Sequence, residues 1–461
     1  MPSIVALILC VVLVAFLLSI ERRRNPEASV ALWIPTLWLL LCASKPLGRW
    51  FDINATRASV AKEEVGSLPD LVVLSALIIL SMLIISRRKI QWSLILKDNL
   101  WLILLFLYLG SSVLWSDFPM VSFKRWIRLS GAIPIALLVL SERSPFKALE
   151  SVFRRCAYVL IPASVLLIKY FPDFGVYYSR WDGTTWWVGM ASQKNGLGVI
   201  CTLAALLIIW GFLREWKLGT FLKIKSHAFA DGLVLAMALH LLTGFRGVYS
   251  ATSISLLISG IASLVLLKWM KNNVRQMATL LVLMVALGLI CLTFSESMVQ
   301  IATSVFQRDA TFTGRTDIWR LVLEVASQNP FFGVGYGAYW GLQDEMIFST
   351  VGVTEAHSGY LDVYLEGGVV GIVLLLAFLL SYHSKTLREL NGEYDWSLFG
   401  ICLLIMILLH NFTESNFLRT SSYFWNNAIF LAVNFSSRYQ RTRRSDLCPR
   451  RTPSYLKSRR P

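Results

Sequence analysis

Long apolar segments follow one another along almost the whole of this sequence, and they constrain its fold more than any other feature. A helix that crosses roughly 30 Å of hydrocarbon needs about 20 predominantly apolar residues. Because lipid cannot satisfy exposed backbone groups, only helices and closed barrels span a bilayer. We therefore predict an all-α polytopic membrane protein with about 12 or 13 transmembrane helices. The predicted spans are 3–20, 28–44, 68–86, 100–116, 126–141, 154–171, 195–213, 228–244, 249–267, 277–294, 367–382, 397–412 and 421–436.

The composition excludes an ordinary soluble protein and argues against binding of nucleic acid. Only 16% of the residues are charged, whereas soluble domains average about 25%. The net charge of +16 would suit a nucleic acid, but the basic residues gather in alternate short loops and in the C-terminal tail. That distribution follows the positive-inside rule and places a basic tail against an anionic inner leaflet. We expect membrane lipids as partners, and no nucleic acid.

The alternation of loop charge predicts the domain organisation. Residues 295–366 contain three arginines and nine acids, and the parity of the short loops places this segment outside the membrane. We predict an N-terminal bundle of about ten spans, a large periplasmic loop with short helices, C-terminal membrane helices and a cytoplasmic tail. Their boundaries are 1–294, 295–366, 367–436 and 437–461.

The sequence contains no motif for a metal, a nucleotide or another cofactor. Its seven cysteines are scattered, six in apolar segments and one in the tail, without a CxxC pair or a cluster with histidine. Such spacing fits neither a disulfide framework nor a zinc site. No Walker motif is present. We expect no cofactor and no metal.

Basic residues on the predicted outer face are unusual for topology and identify candidate sites. "LWSDFPMVSFKRWIRL" brings Lys124, Arg125 and Arg128 to a helix end, "SQKNGLG" contains Lys194 and Asn195, "GFRGVYS" is a tight turn with Arg246, and "TGRTDIW" contains Arg315. Each cation has two interpretations. A long side chain at a helix end reaches headgroup phosphates, whereas a charge at membrane depth faces a cavity and a partner.

The large loop carries two helical patterns around a glycine turn. "TDIWRLVLEVASQNP" has amphipathic spacing with Thr316 as a possible N-cap, and "FFGVGYGAYW" has alternating glycines that fit a flexible turn better than a phosphate cradle. In "TEAHSGYLDVYLEGG", helical spacing puts His357, Leu361 and Tyr364 on one face, and Gly367 with Gly368 ends the helix. His357 is the one histidine in this loop, and the pattern leaves open whether it is catalytic or structural.

Taken in order, these motifs resemble the O-antigen ligase/polymerase superfamily of bacterial envelope proteins, and most closely the ExoQ-type exopolysaccharide polymerases. The motifs are "LWSDFPMVSFKRW", "SQKNGLG", "GFRGVYS", "TGRTDIW", "NPFFGVGYG" and "HSGYLDVYLEGGVVGI", across residues 100–420. The resemblance implies a multi-span inner-membrane glycosyltransferase that uses an undecaprenyl-pyrophosphate-linked oligosaccharide at the periplasmic face. It implies two arginines and one histidine as functional residues, which fall here on Arg246, Arg315 and His357. Relatives often have Ser-Arg where this chain has Phe245-Arg246.

The chemistry of the implied reaction suits these residue types. Guanidinium groups bind phosphate oxygens and match the charge that builds on a leaving pyrophosphate, and an imidazole can orient or deprotonate the attacking hydroxyl. We expect Arg246 and Arg315 to bind the pyrophosphate and His357 to act on the acceptor, with inversion and without a metal. Further candidate substrate contacts are Arg125, Lys194, Asn195, Tyr249, Tyr336, Tyr360, Asp362 and Glu366. Candidate sugar platforms are Trp186, Trp187, Tyr336, Tyr339, Trp340, Tyr360 and Tyr364.

The function expected from the sequence is a polysaccharide polymerase that elongates exopolysaccharide from lipid-linked repeat units. Two alternatives remain open at this point. One is a ligase that moves the finished glycan to lipid A core or another acceptor, and the other is a flippase for the lipid-linked glycan. A separate chain-length regulator is a conceivable partner of the polymerase.

Overall fold

A computed structural model of the chain describes residues 2–51, 68–178, 183–216, 226–244, 248–294, 315–340 and 355–436. These ranges are almost wholly helical, which confirms the predicted all-α polytopic membrane protein. In chain order the N-terminal helices are α1 Ser3–Arg24, α2 Trp33–Ala43, α3 Leu47–Phe51, α4 Leu68–Ser86, α5 Trp92–Asp98, α6 Leu100–Ser111, α7 Pro119–Ser130, α8 Ala132–Leu140, α9 Pro145–Tyr170 and α10 Pro172–Gly175. They are followed by α11 Lys194–Trp216, α12 Ser226–Thr243, α13 Val248–Trp269, α14 Val274–Phe294, α15 Arg315–Ala326, α16 Gly359–Glu389, α17 Tyr394–Thr413 and α18 Tyr423–Asn434.

Seven helices in the described ranges are long and apolar enough to cross a membrane, or eight if the bent pair α5 and α6 is one span. The predicted span 277–294 lies within the 21-residue α14. Other predicted spans correspond to shorter apolar helices, such as α2, α8 and α18. Some are shorter because the chain turns within the apolar segment. The predicted span 126–141, for example, divides between α7 and α8 at Gly131. The predicted total of about 12 or 13 crossings and the four domain boundaries remain predictions.

A short hairpin interrupts the helices on the side of the molecule that was predicted to lie outside. Strand β1 Val176–Tyr178 pairs antiparallel with β2 Thr185–Trp187, with Tyr177 opposite Trp186. The aromatic run was interpreted from sequence as loop, because strands of three residues are too short to give a recognisable alternation.

The helix that follows the large loop differs from the prediction in its start but is interrupted where predicted. His357 lies before α16, not on its face, because the helix begins at Gly359 with Ser358 as N-cap. The glycine pair breaks the helix, as predicted. Gly368 adopts a non-helical conformation, φ 59°, ψ −161°, at a kink between two helical segments, the second of which ends at Glu389. Glycine permits this conformation since it lacks a Cβ.

The described residues form two apolar cores. The main core runs through the membrane helices, and a smaller cluster joins α15, the glycine turn and the start of α16. The smaller cluster consists of Ile318, Val322, Ala326, Tyr339, Trp340, Ala356 and Leu365. It confirms the predicted amphipathic helix, in which Thr316 lies inside the described helix. Two of the proposed sugar platforms, Tyr339 and Trp340, are buried here as packing residues.

A buried ion-pair network joins α1, α9 and α12 at the end of the bundle that was predicted to face the cytoplasm. The Arg154 guanidinium donates to Asp231 and, at 3.0 Å, to Glu150, and Arg24 donates to Asp231 at 3.2 Å. Charges away from water require such partners, because an unpaired one carries a large desolvation penalty. The network therefore ties these three helices together at one end of the bundle.

Candidate active site

A cavity of about 330 Å³ opens among α2, α4, α7, α11 and the segment that joins α17 to α18. Its walls are mixed. Basic side chains, carboxylates and apolar side chains of α4 and α7 all contribute to the lining. The cations are Lys124, Arg125, Arg128 and Arg419, and the acids are Asp70, Glu355, Asp362, Glu366 and Glu414.

The floor of the cavity is built by the turn after α17. The side-chain oxygen of Asn411 accepts hydrogen bonds from the backbone N–H groups of Asn416 at 2.9 Å and Phe417 at 2.8 Å. Asn416 in turn bonds to His410 Nδ1 at 2.7 Å and to Ser422 at 2.8 Å. Because these buried polar groups satisfy one another, the turn holds Glu414 and Arg419 at fixed positions in the cavity wall.

Glu414 joins the two predicted functional residues that the structure describes. Its Oε1 accepts from Arg315 Nη2 at 3.1 Å, and its Oε2 lies 3.6 Å from His357 Nδ1. The same Nδ1 lies 3.2 Å from Glu355 Oε1. The four residues therefore form one cluster, in which Arg315, Glu414, His357 and Glu355 alternate in charge.

The surroundings of His357 favour its protonated form. Burial by itself lowers the pKa of the imidazole, but hydrogen bonds to and the charges of Glu355 and Glu414 outweigh it and raise the pKa from 6.5 to about 9. Burial would raise the pKa of Glu414, yet His357 and Arg315 hold it near 2. At neutral pH the cluster consequently contains an imidazolium between two carboxylates.

The backbone around His357 is held in an unusual conformation. His357 has φ 51°, in the left-handed region that residues with a Cβ rarely adopt. The neighbouring Ala356 accepts from Trp319 Nε1 at 2.9 Å through its carbonyl and donates through its N–H to Asp362 Oδ1 at 3.2 Å. These two hydrogen bonds hold Ala356 and so restrain the strained backbone at His357. Such strain is common at sites where a side chain is held in one orientation.

Asp362 is an organising residue of the site. One carboxylate oxygen accepts from Trp340 Nε1 at 2.8 Å and from the Ala356 N–H, and the other accepts from Arg419 Nη2 at 2.8 Å. Both oxygens are engaged in bonds within the protein, so Asp362 holds the His357 segment and Arg419. Asp362 also lines the cavity, and its predicted contact with sugar remains a prediction.

Arg125 is likewise engaged within the protein. Its guanidinium donates to the carbonyl oxygens of Gly337 and Trp340 and so holds the glycine turn against α7. The turn itself depends on glycine, because Gly333, Gly335 and Gly337 have φ of 71°, 101° and 64°. The alternating glycines thus serve close packing, and the loop is fixed where the sequence suggested flexibility.

Gly333→Ala is expected to destabilise the protein by about 2–4 kcal/mol, and Gly183→Ala by only about 1 kcal/mol. Both glycines are left-handed, with φ of 71° and 65°. A Cβ on Gly333 would lie 2.6 Å from the backbone of Glu366 and Gly367, whereas one on Gly183 meets nothing within 4 Å. Thermal unfolding of the two purified variants measures the difference, and equal losses would contradict the packing argument.

Two cations of the cavity have no protein partner. In the described part of the chain, Lys124 and Arg128 neither pair with a carboxylate nor donate a hydrogen bond, although both line the cavity. They stand four residues apart on α7 and therefore on one face. The sequence alone left two interpretations of these cations open, contact with lipid headgroups or a place in a binding site. Their place in the cavity wall supports the second interpretation.

The remaining predicted site residues divide into three groups. Asn195, Tyr336 and Glu366 line the cavity. Lys194 lies over the Trp186 ring, 3.4 Å from its centroid, and the Tyr360 hydroxyl donates to the Leu408 carbonyl at 3.0 Å, so neither residue lines it. Arg246 lies outside the described residues, and the side chain of Tyr249 is likewise not described.

Sequence reasoning missed Glu414 and Arg419 and left Glu355 without a role. Glu414 and Arg419 lie in a short connection between two spans. The charges of such a connection predict its side of the membrane but do not indicate a functional site. The one available signal was the density of polar residues in "HNFTESNFLRTSS", which is unusual between apolar helices.

One ligand atom each from Glu355, His357 and Glu414 lies within 4.8 Å of the others, a spacing compatible with a metal ion. The contacts within the set are those of an ion-pair cluster. Arg315 donates to one oxygen of Glu414, and a metal would have to compete with a proton for the imidazole nitrogen of His357.

Comparison with known proteins confirms the resemblance seen in the motifs. A family model described as O-antigen ligase matches residues 232–376, which include Arg246, Arg315 and His357. The chain is 24% identical over 341 residues to the exopolysaccharide production protein ExoQ of Rhizobium meliloti (strain 1021), covering 71% of this chain and 75% of that protein. It is 20% identical over 318 residues to an uncharacterized protein of Haemophilus influenzae, covering 64% and 73%.

Proposed function

We propose that this chain, a member of the O-antigen ligase family, is a polymerase that transfers undecaprenyl-pyrophosphate-linked repeat units onto a growing exopolysaccharide at the periplasmic face of the inner membrane. The observation that carries the proposal is the cluster of Arg315, Glu414, His357 and Glu355 beside a cavity with two cations that pair with no described residue. Acidic, basic and apolar walls in one cavity suit a substrate that is part sugar, part pyrophosphate and part lipid.

On the donor side, the leaving pyrophosphate needs positive charge more than it needs a proton. Lys124 and Arg128, which have no partner among the described residues, can bind its oxygens, and Arg419 adds charge to the same cavity while it remains paired with Asp362. Fixed cations aimed at a developing charge lower the barrier without reorganisation. Arg315 is only 7% exposed and donates to Thr413 and Glu414. In this conformation it positions Glu414, while its contact with the pyrophosphate remains a prediction.

On the acceptor side, a sugar hydroxyl attacks the anomeric carbon from the face opposite the pyrophosphate. The new oxygen–carbon bond forms as the bond from the anomeric carbon to the phosphate oxygen breaks, and its electron pair leaves with the lipid pyrophosphate. The hydroxyl proton passes to Glu355, the carboxylate of the cluster that lines the cavity beside Glu414. His357, as an imidazolium, holds Glu355 in place and adds positive charge. The sequence left orientation and deprotonation open for His357, and its raised pKa supports orientation.

The ligase remains the second candidate, since the matching family model is described as O-antigen ligase. The longer match to an exopolysaccharide production protein supports the polymerase. Deletion of the gene distinguishes the two. Loss of a polymerase leaves single repeat units on the lipid, whereas loss of a ligase leaves long polymer there. A flippase would instead move the lipid-linked glycan across liposomes without forming a new linkage.

Purified protein in lipid nanodiscs is expected to elongate lipid-linked repeat units into a ladder of polymers. Lys124→Gln and Arg128→Gln should each raise KM for the donor about tenfold or more, because each removes a charge-assisted hydrogen bond worth roughly 1.5–3 kcal/mol. Lys169→Gln is the matched control, since Lys169 ends α9 and does not line the cavity. Unchanged KM in both cavity variants would refute the assigned pyrophosphate site, and a wild type that forms no linkage would refute the transferase itself.

A further inference from the structure

An apolar strip crosses the cavity wall between α4 and α7. Leu71, Leu74 and Ile78 contribute it from α4, at positions that share one helical face, and Ile127 contributes it from α7. The cavity is otherwise lined by many polar and charged groups. A strip of this kind has no evident role toward sugars or phosphate.

The two helices bounding the strip meet at one end of it. A Cβ on Gly131, which follows α7, would lie 2.4 Å from the side chain of Ile78 and 2.8 Å from Trp38. Moving away from this tight contact, the next residues that line the cavity are Ser75 and Leu71 on α4, and Arg128 and Lys124 on α7. The cavity therefore occupies the space between the two helices beyond the point where they touch.

The strip reaches the outer surface of the bundle. Leu71 is 51% exposed and Ile127 is 42% exposed, although both line the cavity. The rest of α4 presents further exposed apolar residues, among them Val72, Ile79 and Leu83, as expected for a helix in contact with lipid. The cavity thus continues laterally into a surface that faces hydrocarbon.

Unpaired charge stands directly beside this opening. Lys124 and Arg128 flank Ile127 on α7, and neither has a partner in the described ranges. A ligand that satisfies both features has an anionic head against the cations and a long apolar tail over Leu71 and Ile127. A polyisoprenyl pyrophosphate has that form, whereas a free nucleotide sugar offers no tail.

We infer that the gap between α4 and α7 is the port through which the isoprenoid tail of the donor extends from the cavity into the bilayer. The identity of the head group as a pyrophosphate rests on the proposed function. The inference adds the path that the isoprenoid tail takes into the bilayer. Leu71 and Ile127 line the opening of this port toward the bilayer. The donor then enters, and the spent carrier leaves, sideways through the membrane while the sugar remains in the polar part of the cavity.

Photolabelling tests the port without requiring turnover. The full-length protein in nanodiscs is exposed to a polyisoprenyl pyrophosphate that carries a diazirine in its isoprenoid chain, and labelled peptides are mapped by mass spectrometry. We expect labels in 68–78 and 124–128, reduced when Lys124 and Arg128 are both changed to Gln. Equal labelling of these segments by the corresponding polyisoprenol, which lacks pyrophosphate, would overturn the inference, as would labels confined to other lipid-facing helices such as α1.

Narrowing the port provides the functional test. Leu71→Trp and Ile127→Trp are expected to lower kcat/KM about tenfold or more for a donor with its natural undecaprenyl tail, and to spare a donor with a short, water-soluble prenyl tail. The matched controls are Leu80→Trp and Phe123→Trp. These residues are similarly exposed, at 46% and 43%, and do not line the cavity. The controls should retain wild-type values with both donors.

The possible outcomes distinguish failure of the proposed port from failure of the proposed transferase activity. Equal losses with long-tailed and short-tailed donors would show that the tryptophans damage the sugar or phosphate site, and would overturn the port. Wild-type kinetics of Leu71→Trp and Ile127→Trp with the long donor would do the same. If the wild type labels at the port but forms no glycosidic linkage, the proposed transferase fails and the lipid port stands.

Discussion

Replacing His357 by alanine is expected to lower the turnover of lipid-linked repeat units by about 10²–10⁴-fold while leaving the protein folded. The imidazole is the cationic centre of the cluster, between Glu355 Oε1 at 3.2 Å and Glu414 Oε2 at 3.6 Å. Without it, two carboxylates face one another and the cavity carboxylate loses its orientation. The measurement is single-turnover formation of dimeric repeat units by purified protein in nanodiscs.

Two further variants exclude trivial causes of that loss. His357→Asn retains a side chain that tolerates the left-handed backbone at φ 51°, so comparable inactivity would exclude relief of strain as the cause. His383→Ala removes another histidine, one bonded to Thr279 and outside the cavity lining, and should retain wild-type turnover. Wild-type activity of His357→Ala would remove this residue from the mechanism.

The wild-type rate is expected to hold from neutral pH upward and to fall as the pH passes about 9. The carboxylates of Glu355 and Glu414 stabilise the imidazolium, raising its pKa to about 9, and the active form in our proposal is the protonated one. Only roughly one imidazole in a hundred is neutral at two pH units below its pKa. A rate that instead climbs between pH 7 and 9 would show that the neutral imidazole is the active form, and would restore His357 as the general base.

Glu414→Gln should move this decline to lower pH, because it removes one of the two charges that hold the proton on His357. The glutamine oxygen can still accept from Arg315, so the contact between residue 414 and α15 is retained.

Thermal stability is an independent measure of the protonation of His357. A raised pKa stabilises the fold fully below the ordinary value of 6.5, and this contribution disappears as the pH rises through about 9. The stability of Glu414→Gln should therefore depend less steeply on pH in this window.

The amino-acid pattern was sufficient for the membrane class and for much of the outer loop. Spans are recognised because lipid demands apolar length, and the amphipathic helix that begins at Arg315 follows from local periodicity. His357 was singled out by its type and position, and the order of the motifs identified the family. Periodicity could not place His357 relative to α16, because Ser358 and Gly359 fit a helix start as well as a helix interior.

The roles of individual charges were decided by the tertiary structure alone. Arg125 and Asp362 were predicted as substrate contacts, which remains untested, and the structure adds that Arg125 donates to Gly337 and Trp340 and that Asp362 accepts from Arg419. Glu414, which sequence reasoning passed over, stands between Arg315 and His357. A sequence shows which charges exist and predicts on which side of the membrane they lie. Which of them meet, and which proton state results, depends on distances between segments remote in the chain, since electrostatic energies change steeply over a few ångströms in a buried site.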